Sequence, residues 1–130
     1  MIGLWVAGGS AIGAMARFAL SGWVTTWAFA GFPWGTFFVN VTGCAVLGLI
    51  TSVLPRDTPA GPRAFLTVGL CGGYTTFSTF DFEILSLVQD GSHLLAAGYA
   101  MGSATVCFAG ILLGFRLGGA VATARFAPRR

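Results

Sequence analysis

The stretch Leu70-Cys71-Gly72-Gly73-Tyr74-Thr75-Thr76-Phe77-Ser78-Thr79-Phe80 lies inside an apolar run that would otherwise read as an uninterrupted membrane helix. Two adjacent glycines are followed by four hydroxyl residues in five positions. Glycine lowers helix propensity, and Ser and Thr compete for backbone partners, so the pattern predicts a break in the middle of the span. Backbone groups freed at membrane depth persist only where protein or water surrounds them. The stretch is therefore the leading candidate for a functional site.

Working outward, the composition fits that reading. Of 130 residues, 55% are hydrophobic and only 8% are charged, which lies outside the soluble globular range and allows one domain. The chain reads as an all-α integral membrane protein, a single domain over residues 1–130 with four spans at about 2–20, 34–54, 63–88 and 93–116. A small soluble domain is disfavoured, because several apolar runs reach the length that crosses about 30 Å of hydrocarbon. The first run lacks the basic n-region and cleavage site of a signal peptide and is expected to remain as a span. Net charge +3 comes entirely from arginines and is concentrated outside the spans, and no basic-aromatic motif of a nucleic-acid binder is present. Arg56, Arg63, Arg116, Arg125, Arg129 and Arg130 collect on one side, which puts both termini in the cytoplasm.

Each span adds something to the break. Gly9 and Gly13 form a GxxxG pair and Ser10 and Ala14 a second small-residue pair, a face suited to close helix packing. Arg17, near the far end of the first span, needs a partner, and alternating spans bring it to the side of Asp81 and Glu83. A structural ion pair between Arg17 and Glu83, or Asp81, is expected. Residues 21–33 read as a short aromatic connection in which Trp23 and Trp27, with the adjoining Trp34, act as interfacial anchors. In the second span Thr36, Asn40 and Cys44 recur every four residues on one face, and an amide at that depth must find partners. The fourth span carries a matching stripe of Tyr99, Ser103 and Cys107.

No nucleophile–base pair, phosphate-binding loop or metal-ligand cluster is evident, and Asp81 and Glu83 fall on different helix faces, so the chain is not read as an enzyme. Cys44, Cys71 and Cys107 are read as small buried hydrophobes. What recurs is a set of neutral donors: Asn40, Thr75, Thr76, Ser78, Thr79, Tyr99 and Ser103. Such groups can replace water around a small anion without trapping it. Phe77 and Phe80 share a face, and ring edges carry the positive part of the aromatic quadrupole. A broken helix also exposes carbonyl oxygens that suit a dehydrated Na⁺, so both ion types are chemically plausible here.

The strings Gly72-Gly73-Tyr74-Thr75-Thr76-Phe77-Ser78-Thr79-Phe80, Gly35-Thr36-Phe37-Phe38-Val39-Asn40-Val41-Thr42-Gly43 and Gly9-Ser10-Ala11-Ile12-Gly13-Ala14-Met15-Ala16-Arg17-Phe18 together resemble the bacterial Fluc (CrcB) fluoride channels. The resemblance covers all four spans in order. It implies a passive, fluoride-selective channel of the bacterial inner membrane that exports the anion. The architecture it implies is an antiparallel, dual-topology dimer with two pores and a central structural Na⁺. By position, the backbone carbonyls of Gly72 and Thr75 match the Na⁺ ligands, Phe77 and Phe80 the rings lining fluoride sites, and Asn40 the pore amide. Tyr99 and Ser103 match the hydroxyl track, whose third position is here the weaker donor Cys107. The arginine bias favours one orientation, so a heterodimer with an oppositely inserted homologue stands beside the homodimer as an expected assembly. A small multidrug-type proton-coupled antiporter is the alternative function, but no ionisable residue sits centrally in a span. A non-transporting scaffold would explain the glycine faces and leave the aligned donors without a purpose.

Overall fold

The computed structural model describes residues 1–28 and 31–126, with side chains through residue 123. Arg129 and Arg130, two of the charges used to orient the chain, lie outside the described residues, as does the side chain of Arg125. The described residues are helical, with no strand among them. Helix α1 spans Ile2–Trp27 and α2 spans Trp34–Val53. Helix α3 is composite: a turn at Ala60–Ala64, a π-helical segment at Phe65–Cys71 and a last α turn at Gly72–Tyr74. Thr75 is extended (φ −85°, ψ 159°), and α4 begins again at Ser78–Gln89. Helix α5 spans His93–Phe126.

Helices α1, α2 and α5 are each long and apolar enough to cross a membrane. Together with the exposed large apolar side chains, among them Phe18, Leu94 and Phe108, they define a multi-pass membrane protein. Helix α1 continues seven residues past the expected end at Leu20. The hydroxyl residues there do not stop it, because Thr25 donates to the Ser21 carbonyl (2.8 Å) and Thr26 to the Trp23 carbonyl (2.6 Å), partners within the same helix. The turn from α4 to α5 closes with two bonds, Ser92 N–H to the Leu87 carbonyl (2.8 Å) and Gly91 N–H to the Val88 carbonyl (3.0 Å). Gly91, at φ +77°, supplies the left-handed residue this Schellman motif needs.

Packing follows the small residues. Gly9 and Gly13 of α1 lie directly on α3, where a Cβ on Gly9 would come 2.9 Å from Leu70 N and one on Gly13 2.8 Å from Tyr74 N. The facing glycines answer them: a Cβ on Gly69 would come 3.0 Å from Gly9 Cα, and one on Gly73 2.8 Å from Ser10 Cα. The first GxxxG thus meets a second, Gly69 and Gly73. The α2–α5 pair is the most extensive in the molecule. Gly110 meets Val41 and Ala45, Gly114 meets Ala45 and Leu49, and Gly118 meets Leu49 and Ser52, so the two helices run parallel in a fixed register.

Candidate functional site

The α2–α5 register places the two polar stripes opposite one another. Thr36 faces Tyr99, Asn40 faces Ser103 and Cys44 faces Cys107, before Gly48 closes on the Ile111 backbone. The non-helical residues 75–77 and the start of α4 lie against this ladder.

Asn40 grips the break from both sides. Its Nδ2 donates to the Thr76 carbonyl (2.9 Å), and its Oδ1 accepts the Thr76 N–H (2.8 Å). These are the two backbone groups that leaving the helix sets free, and one side-chain amide satisfies both. One Nδ2 hydrogen remains for a further acceptor. The Thr76 hydroxyl in turn accepts the Thr79 N–H (3.2 Å) and donates to Thr79 Oγ1 (3.0 Å), so it starts α4 as an N-cap does. Ser78 is exposed, with its hydroxyl 3.5 Å from that of Thr76. Thr75 closes the other side, its N–H and Oγ1 each donating to the Cys71 carbonyl at 3.0 Å.

One turn further along α4, Glu83 joins three helices. Its Oε1 accepts from the Thr36 hydroxyl and its Oε2 from the Tyr99 hydroxyl, each at 2.7 Å. Charge-assisted bonds of this length are among the stronger ones a protein makes. Tyr99 is 1% exposed, and Phe80 packs on its ring with centroids 5.0 Å apart. Glu83 and Thr79 also line a cavity of about 660 Å³ near the α1–α2 connection, with Ser21, Thr25 and Thr36.

The expected Arg17–Glu83 ion pair is not formed. Arg17 Nε donates to the Gly73 carbonyl (3.2 Å), and both Glu83 oxygens are taken by neutral hydroxyls. The glycine crossing is the cause, since it brings Gly13 and Arg17, one turn apart, directly over the end of α3. Arg17 therefore braces the helix end that precedes the break.

Beside the break lies an open cavity of about 370 Å³, lined by Asn40, Thr75, Thr76, Phe77, Phe80 and Ser103 together with Gly72 and the three cysteines. Ser103 is 4% exposed, and its Oγ is buried with no hydrogen-bond partner. A buried hydroxyl without a partner carries a desolvation cost that a bound ligand or water relieves. Phe77 (74% exposed) and Gly72 lie on the outer wall, and nothing would meet a Cβ on Gly72 within 4 Å. The structure thus gathers Asn40, Phe77, Phe80, Ser103 and Thr75 around one cavity and gives Tyr99, Ser78 and Thr79 flanking places. The roles of Thr36 and Glu83 were not read from the sequence. The four-residue repeat of Thr36, Asn40 and Cys44 was the available signal for the first. Glu83 stood out as an acid within a span, but its partners Thr36 and Tyr99 come from other helices.

Fold and site together define a polytopic helical membrane protein with a mainly apolar, partly aromatic cavity that carries a few hydrogen-bonding groups beside the non-helical residues 75–77. Residues 4–115 match the family described as CrcB-like protein, Camphor Resistance (CrcB), and the chain belongs to that family. It is 44% identical over 122 residues to the fluoride-specific ion channel FluC of Thermus thermophilus, covering 91% of this chain and 94% of that one. It is 40% identical to the protein of the same name from Rhodospirillum rubrum (85% of this chain, 89% of that one). The Nitrobacter winogradskyi protein, also so named, is 38% identical (88% and 92%).

Proposed function

We propose that this chain is a passive fluoride-selective channel that lets the anion leave the cell, in line with the names of its relatives. The observation that carries the reading is the cavity beside residues 75–77, lined by Ser103 with its unpartnered hydroxyl, by Asn40 and by the Phe77 and Phe80 rings. Neutral donors can substitute for the hydration shell of a small anion, and they release it because none carries a fixed positive charge. Thr76 belongs to this lining, with Ser78 and Thr79 following it at the start of α4 and Tyr99 buried beneath Phe80. The chain performs no covalent chemistry in this reading.

Helices α3 and α4 act together as one interrupted span. At 1.5 Å per residue neither reaches across about 30 Å of hydrocarbon by itself, whereas the two in sequence do. Four spans of this size do not enclose a pathway, and the outer wall at Gly72 and Phe77 is open, so the functional unit is a dimer. An antiparallel pair in the bacterial inner membrane brings Gly72 and Thr75 of two chains to one axis. Their backbone carbonyls are hard oxygen donors of the kind Na⁺ takes, and the space over Gly72 admits a second backbone. Such an ion would neutralise partial charge where the break exposes carbonyls, and one chain alone offers too few ligands. A homodimer is the preferred assembly, with an oppositely inserted homologue as the other candidate. Reporter fusions to the C-terminus that are active on one side of the membrane only would exclude the homodimer.

The antiporter alternative has one foothold, the Glu83 carboxylate held by Thr36 and Tyr99. Efflux from liposomes holding the purified protein separates the two. A channel passes fluoride and excludes chloride without a proton gradient; fluoride retention, or movement only with a proton gradient, overturns the channel reading.

A further inference from the structure

Three cysteines line the cavity beside residues 75–77: Cys44 from α2, Cys71 from α3 and Cys107 from α5. Their sequence positions do not announce this, since each falls singly in an apolar run. Cys44 and Cys107 stand at the same rung of the α2–α5 ladder, both line the cavity, and both are half-buried. Cys71 is 3% exposed. The register that opposes Cys44 and Cys107 is fixed on either side, by Thr36 and Tyr99 on Glu83 and by Gly48 on the Ile111 backbone.

We propose that Cys44 and Cys107 form a binding site for a soft, two-coordinate divalent cation of the Hg²⁺ class. Thiolate sulfur selects soft ions over Na⁺, Mg²⁺ or Ca²⁺, which take oxygen. Two ligands satisfy an ion that prefers linear coordination, so no third protein group is required. Binding breaks two S–H bonds, forms two Hg–S bonds and releases two protons, with no change in oxidation state. The product is electrically neutral. That matters in an apolar cavity, where an uncompensated charge is costly and a monovalent ion with two thiolates would leave one. The cavity is open to the exterior of the chain, and its volume of about 370 Å³ admits the ion beside the thiols. The site goes beyond the channel reading and does not rest on it.

The test uses the full-length protein in detergent, titrated with Hg²⁺ alone. Bound ion is followed by mercury–thiolate charge-transfer absorption, and protected thiols by maleimide labelling after mild unfolding. One equivalent per chain should protect two of the three cysteines. Cys71→Ser should bind as wild type does, whereas Cys44→Ser and Cys107→Ser should bind on the order of 100-fold more weakly through loss of the second, pre-positioned thiol. Cys44→Ala repeats the test without a hydroxyl, and size-exclusion elution confirms that each variant is folded. Wild-type affinity in Cys44→Ser or Cys107→Ser, or loss of the site in Cys71→Ser, overturns the proposal.

Discussion

Changing Asn40 to Asp alters one atom of the clamp on the break. Asn40 Oδ1 accepts the Thr76 N–H at 2.8 Å, and an Asp oxygen can do the same. Nδ2, which donates to the Thr76 carbonyl at 2.9 Å, becomes an acceptor facing an acceptor. The lost bond is worth about 1 kcal/mol and the carbonyl left without a donor costs about 1–3 kcal/mol more, together about 2–4 kcal/mol. At 1.4 kcal/mol per decade this shifts the balance between held and released break by roughly 30- to 700-fold. Residues 75–77 would then no longer hold Thr76 against Thr79, and the lining of the cavity would come apart. Asn40→Asp should therefore lower both the midpoint of thermal or denaturant unfolding and the fluoride efflux from liposomes, the latter by at least about ten-fold on the same scale. Asn40→Ala, which removes both bonds, should unfold more easily still. Wild-type efflux with an unchanged unfolding midpoint in Asn40→Asp would refute the clamp.

Other changes probe neighbouring parts. Tyr99→Phe keeps the ring against Phe80 but leaves Glu83 Oε2 without its donor, a loss of about 1.5–3 kcal/mol. A double-mutant cycle with Thr36→Val should show coupling of about 0.5–3 kcal/mol through the shared carboxylate; strict additivity would remove the three-helix junction. Gly13→Ala forces α1 away from Tyr74 and should destabilise by about 1–3 kcal/mol in a denaturant titration. Gly22→Ala, with nothing within 4 Å of its added Cβ, is the matched control and should not be destabilised. Phe80→Ile should sharply reduce fluoride efflux while the protein elutes as wild type does, and normal efflux would take the ring out of the proposed pathway.

The need of Asn40 for partners and the non-helical residues 75–77 were legible from residue types and spacing. Asn40 had to find partners at membrane depth, and the glycine-hydroxyl stretch had to interrupt a helix; neither inference needed to know what lay across the interface. The length of α1 was not legible, because Thr25 and Thr26 satisfy their hydroxyls on their own helix and so do not end it. The Arg17–Glu83 pair failed for a different reason. Matching opposite charges on one side of a membrane ignores rotation about each helix, and the Gly9 and Gly13 crossing turns Arg17 toward Gly73.

The sequence alone determined a multi-pass helical chain with a weak point between Gly72 and Phe80, since those follow from hydropathy, length and propensity within single segments. Only the tertiary structure decided what the weak point faces. The stripe Thr36, Asn40 and Cys44 could have met the fourth span at any register, and small residues at Gly48, Gly110, Gly114 and Gly118 select the one in which it faces Tyr99, Ser103 and Cys107. Register between helices depends on backbone-to-backbone contact across the interface, which is a property of two segments together and is written in neither one.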